Sequence, residues 1–94
     1  MFILDITYRP GALETLDTYL PEHYAYIDRH LADGTFLLTG RKLPRTGGLI
    51  LARGVDRPTI ERITTEDPFH REGLADYTIT EFQPTRSVLP QIAA

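Results

Sequence analysis

Ninety-four residues allow one domain with a modest core, and a composition of 41% apolar and 24% charged residues is that of a globular chain rather than a disordered one. A net charge of -3 and a pI near 5.5 argue against nucleic acid as a major partner, because phosphate binding needs a basic footprint. The absence of cysteine excludes disulfides, thiolate metal sites and a cysteine nucleophile, and no apolar run approaches the length of a membrane span.

Met1-Phe2-Ile3-Leu4-Asp5 meets an acid at once, so it does not read as a signal peptide, and a cytoplasmic protein is expected. Residues 2–9 alternate as a strand, with Phe2, Leu4, Ile6 and Tyr8 on one face and Ile3, Asp5, Thr7 and Arg9 on the other. Pro10-Gly11 ends it. Residues 12–32 form a helical region that Pro21 is expected to divide, leaving 21–32 as the better-formed part. Leu20, Tyr24, Ile27 and Leu31 make its apolar stripe, with His23 beside it, and Gly34 stops it.

A second strand is predicted over 35–39 and a loop rich in glycine, proline and basic residues over 40–48. The third strand, 48–53, is nearly continuous in apolar residues, which predicts burial on both faces. Asp56 reads as the N-cap of a short helix carrying Pro58, Ile60 and Ile63. Residues 67–73 are a turn or short helix, 75–82 the last strand, and 85–94 a tail beyond a single domain of residues 1–84.

This order, β-α-β-β-α-β, is the α+β ferredoxin-like arrangement: an antiparallel sheet with both helices on one face. The other face would leave Ile3 and its neighbours bare, which predicts a homodimer with two sheets face to face.

The chemistry-bearing residues are few. His23 on the helix and Asp67 in Asp67-Pro68-Phe69 form an acid–base pair if the fold joins them, the carboxylate holding the imidazole in one tautomer and raising its basicity. Asp67 equally suits capping the turn that Pro68 begins, and Phe69 reads as a core plug. Arg41 and Lys42 suit drawing an anionic substrate, although a solvated loop is the blander reading. Asp5, Thr39, Tyr26 and His70 are further candidates for substrate contact. His23 and His30 lie two helical turns apart, too far for a zinc helix, and adding His70 and Asp67 gives no recognised metal spacing, so no metal is expected. No cofactor motif is present: the 40–48 loop lacks the Gly-Lys-Ser/Thr ending of a phosphate cradle. The only serine, Ser87, lies in the tail without a Gly-x-Ser-x-Gly elbow.

Leu20-Pro21-Glu22-His23, then Gly34-Thr35-Phe36-Leu37-Leu38-Thr39-Gly40-Arg41, then Gly47-Gly48-Leu49-Ile50-Leu51, then Asp67-Pro68-Phe69 with Gly73 together resemble the YciI-like (YCII-related) proteins, over residues 1–84. The resemblance implies a ferredoxin-like fold dimerising as an α+β barrel. It also implies a cleft with a histidine–aspartate pair, here His23 and Asp67. Its enzymatic precedent is a dehydrochlorinase acting on a hydroxylated aromatic. The chain departs from the pattern at Leu20, where many members carry arginine, and at Thr39-Gly40-Arg41, where many carry Ser-Gly-Pro or Ala-Gly-Pro.

Two functions follow as expectations. One is a small cofactor-independent enzyme of lyase or isomerase class, in which the His23–Asp67 pair, in a dimer cleft, moves a proton on a small aromatic or enolisable substrate. The other is a small-molecule-binding or interaction module using the same cleft without turnover. An oxygen-using monooxygenase is a third use of the same fold, and no residue calls for it.

Overall fold

The alternation of Phe2, Leu4 and Ile6 with Ile3, Asp5 and Thr7 builds β1 (Phe2–Tyr8), the strand on which the fold is organised. In a computed structural model that describes residues 1–90 and 92, β1 pairs antiparallel with β3 (Gly47–Ala52) on one side and with β4 (Ala75–Glu81) on the other. β2 (Phe36–Arg41) pairs antiparallel with β3, giving the order β2-β3-β1-β4 of a ferredoxin-like sheet. The helices α1 (Leu13–Ala32), α2 (Arg57–Thr64) and α3 (Pro68–Arg71) complete the α+β fold. Phe2, Leu4 and Ile6 meet Leu16, Tyr26, Ile50, Ile60, Ile63 and Phe69 in the core between sheet and helices.

Pro21 does not divide α1, which runs unbroken for 20 residues. A proline inside a helix costs roughly 3 kcal/mol through its lost hydrogen bond and ring clash. Burial of Leu16 on one side of it and Tyr26 and Ile27 on the other outweighs that cost, at about 2 kcal/mol for each large side chain. Pro21 itself faces solvent.

The buried stripe also differs from the expected one. Tyr24 and Leu31 are exposed, at 48% and 38%, while Leu16, Tyr26, Ile27 and His30 are buried. The inward line runs Leu16, Tyr19, His23, Tyr26, His30 at spacings of three and four, with two histidines in apolar positions. They are tolerated there because each meets a carboxylate: His23 meets Asp67, and His30 meets Glu66 at 2.8 Å and Asp33 at 3.1 Å.

Sheet parity accounts for the rest. Leu4, Ile50 and Thr39 are opposite one another on the helix face, as are Ile6, Gly48 and Arg41. Ile3, Leu51 and Leu38 share the other face. β3 is therefore not buried on both faces in the single chain: Ile50 and Ala52 are buried, whereas Leu49 is 43% exposed. β2 extends beyond the predicted strand through Gly40 and Arg41, because Arg41 still pairs with Gly48.

Asp56 caps α2, accepting the Thr59 N–H at 3.0 Å. Gly34, at φ +84°, takes the left-handed conformation that closes α1. Gly47 answers a different demand: a Cβ there would stand 1.8 Å from the Ile6 carbonyl oxygen. In the tail, Leu89 N–H donates to Ser87 Oγ, and residues 91, 93 and 94 lie outside the described residues. No helix among the described residues is long and apolar enough to cross a membrane.

Candidate functional site

The inward parity of α1 carries His23 to the N-terminus of α3, where Asp67 is the cap residue. Its backbone is extended (φ -71°, ψ 123°), and its Oδ1 accepts the Phe69 N–H at 2.9 Å. The same oxygen lies 2.8 Å from His23 Nδ1. The other, Oδ2, accepts the Tyr77 phenol at 2.5 Å. Asp67 is completely buried, and His23 is 14% exposed. Capping and orienting are thus one arrangement: the turn that fixes the carboxylate also aims it.

A carboxylate only accepts, so in neutral His23 the bond to Asp67 places the proton on Nδ1 and leaves a lone pair on Nε2. Nε2 has no hydrogen-bond partner among the described residues. The imidazole lies flat on Phe69, centroids 4.0 Å apart and planes at 7°. Arg71 of α3 reaches back to Glu22 in a bidentate ion pair of 2.5 and 3.1 Å, tying the segments that carry His23 and Asp67. That hydrogen bond holds the Glu22 carboxyl below its ordinary range.

His23 lines a cleft of about 360 Å³ between α1 and the β2–β3 hairpin, a size that suits a small organic molecule. Gly48, between Ile6 and Arg41 in the sheet, lines the cleft without a side chain, and a Cβ there would meet the Gly40 carbonyl oxygen at 2.9 Å. Leu20, Ile27 and Phe69 supply apolar wall, Tyr8 and Tyr24 aromatic surface, and Thr39, Arg41 and Arg45 polar groups. Arg45 bonds Asp17 of α1 at 2.7 Å and lies 5.9 Å from the Tyr8 ring, so it joins the hairpin to the helix. Arg41 is exposed and makes no ion pair among the described residues.

Of the residues singled out from the sequence, His23, Thr39 and Arg41 line this cleft, and Asp67 stands behind His23. Three others do not line it. Asp5 is on the opposite face of the sheet, 2.6 Å from Lys42 Nζ, because strand parity turns it away from Leu4 and Ile6. Tyr26 is 1% exposed within the core, its hydroxyl 3.4 Å from that of Tyr77. His70 is exposed on α3, with its ring 5.9 Å from Tyr77. Arg45, which with Arg41 and Lys42 makes the basic cluster that suits an anion-binding rim, lines the cleft, whereas Tyr77, Tyr24 and Gly48 carry no such signal of a site in the sequence. Tyr77 shows only its strand parity, inward with Ile79 and opposite Ile6. Burial, above all, pushes the Tyr77 phenol far above its ordinary range, and the same cause raises Tyr26. Among the described residues, no group of three or more histidines and carboxylates is placed to hold a metal ion.

The comparisons with known proteins agree with this architecture. The model of the YCII-related domain matches residues 1–83. A solved structure of 5-chloro-2-hydroxyhydroquinone dehydrochlorinase from Burkholderia phenoliruptrix, in complex with 2,5-dihydroxybenzoquinone, superposes with a TM-score of 0.76. The two are 19% identical, and the match covers 86% of this chain and 91% of the other, a likeness of fold. No curated protein matches the chain. With residues 1–83 matched, the chain belongs to the YCII-related domain family.

Proposed function

We propose that the protein is a small enzyme in which His23, oriented by Asp67, moves a proton on a small hydroxylated aromatic bound in the cleft. The observation that carries this reading is the 2.8 Å contact between His23 Nδ1 and a fully buried Asp67, with the imidazole on the wall of the cleft. Nε2 takes the proton of a ring hydroxyl while the carboxylate stabilises the imidazolium that forms. The imidazolium then returns the proton to a ring carbon. Loss of chloride with its bonding electrons and of one further proton completes a lyase reaction, and without a leaving group the result is an isomerisation. Arg41, at the rim and without an ion pair among the described residues, suits the developing negative charge. The likeness to a dehydrochlorinase supports the choice of an aromatic substrate.

The outer face of the sheet supports a homodimer. Ile3, Leu38 and Leu49 are 39%, 51% and 43% exposed there, and pairing two such faces would remove them from water. A monomer in sedimentation equilibrium, free of aggregation at micromolar concentration, would refute the dimer.

The test of function is chloride release from 5-chloro-2-hydroxyhydroquinone. His23→Ala is expected to lower it by about 100-fold or more with an unchanged circular dichroism spectrum. Full activity in that variant would remove His23 from the chemistry. Binding without turnover by the unmodified protein would make the cleft a binding module.

A further inference from the structure

Asp67 is held from three elements, and each supplies one donor: His23 from α1, the Phe69 amide from α3, and Tyr77 from β4. The first two share Oδ1. Oδ2 depends on Tyr77 alone among the described residues, and no solvent reaches this carboxylate. The Tyr77 hydroxyl carries one proton and has two neighbours, Asp67 at 2.5 Å and the Tyr26 hydroxyl at 3.4 Å. An ionised carboxylate can only accept, so Tyr77 donates to Asp67, and the Tyr26 hydroxyl is left to donate to Tyr77. Donation thus runs Tyr26 to Tyr77 to Asp67, and His23 donates to the same carboxylate from the other side.

We propose that Tyr77, backed by Tyr26, is the positioning residue of the dyad: it keeps Asp67 ionised and aimed, and so keeps Nε2 of His23 free of its proton. The inference rests on the proton-transfer reading above and deepens it. Without the phenol, Oδ2 is an anionic oxygen buried with no donor. Three responses are open to the carboxylate. It can take up a proton, rotate away from His23, or pull the chain open to water. A protonated Asp67 would donate to Nδ1 instead of accepting from it, and the imidazole proton would then sit on Nε2, where the base is needed. Each response weakens the same lock. Burial holds both phenols in their protonated form, consistent with their acting as donors throughout the working pH range.

The experiment is long-range proton–nitrogen correlation NMR of His23 in the uniformly labelled full chain, above the pH at which the ring carries two protons, and it needs no substrate. The unmodified protein should show His23 almost wholly as the Nδ1–H tautomer. Tyr77→Phe should raise the Nε2–H share by about fivefold, the equivalent of one lost hydrogen bond. Tyr26→Phe should raise it less and in the same direction. Ile79→Ala is the packing control, which should lower Tm without moving the tautomer. An unchanged tautomer in a folded Tyr77→Phe protein would overturn the positioning role and leave the dyad standing. Nε2–H in the unmodified protein would overturn both. If Tyr77→Phe does not fold, an unchanged tautomer in Tyr26→Phe overturns the proposal.

Discussion

The imidazole of His23 rests flat on the ring of Phe69, 4.0 Å between centroids, while the Phe69 amide donates to the same Asp67 oxygen that faces His23 Nδ1. One residue thus supports both members of the pair, the histidine by its ring and the aspartate by its backbone. Phe69→Leu keeps the amide and most of the core volume but removes the flat support. It is expected to cost about 1 kcal/mol of stability and to slow chloride release roughly tenfold through a less well held imidazole. Urea unfolding and steady-state rates on the same preparation check both.

Asparagine and alanine at position 67 separate capping from charge. Asp67→Asn retains an oxygen for the Phe69 amide and for His23 Nδ1–H, and its amide can donate to the Tyr77 oxygen. It is expected to fold with a loss of about 1 kcal/mol and to lose activity by about 100-fold, because no anion stabilises the imidazolium. Asp67→Ala leaves the Phe69 amide and the Tyr77 hydroxyl without acceptors in a dry site and is expected to lose about 3 kcal/mol. Similar stability in the two variants would show that the cap contributes little.

The buried phenols set the alkaline limit of stability. Tyr77 and Tyr26 hold their protons more tightly folded than unfolded, and the unfolded value is near 10. Above that pH the unfolded chain releases protons that the folded chain retains, so stability is fully present below about pH 10 and falls as pH rises. The slope approaches about 1.4 kcal/mol per pH unit for each phenol. Denaturant titrations between pH 8 and pH 11 should show this fall, and Tyr77→Phe should make it shallower.

Gly47 is expected to admit no side chain. A Cβ 1.8 Å from the Ile6 oxygen requires β1 and β3 to part where they form the floor beneath the cleft. Gly47→Ala should cost about 2 kcal/mol or more, a fall in Tm of roughly 10 °C. A calorimetric scan decides it.

The sheet was legible in the sequence because strand parity is a period of two. Phe2, Leu4 and Ile6 against Ile3, Asp5 and Thr7 gave β1 and both of its faces. Asp56 and Pro58 similarly marked the start of α2. The face of α1 was not legible by the same means. Its inward line includes His23 and His30, and a hydropathy stripe discounts histidine, so the predicted face moved to Tyr24 and Leu31. Histidine is tolerated in a core position when its ring nitrogens find partners, and here those partners are carboxylates. Asp67 and Glu66 stand 44 and 36 residues downstream of their histidines, and only Asp33, three residues after His30, is local. Tyr77 escaped for a related reason, since its strand position was readable but its bond to Asp67 is a product of the tertiary fold. Pro21 shows only its local cost in the sequence, and the packing on either side of it exceeds that cost.

The central claim is that the cleft carries out proton transfer, and exchange of ring hydrogens tests it without requiring a leaving group. Hydroxyhydroquinone in anaerobic D₂O exchanges its ring C–H for deuterium through its keto tautomers, and proton NMR follows the loss of signal. The account predicts that the unmodified protein speeds this exchange at least about 100-fold over His23→Ala at equal concentration. Equal rates for the two proteins, with the compound bound by both, would contradict it and leave the cleft a binding site.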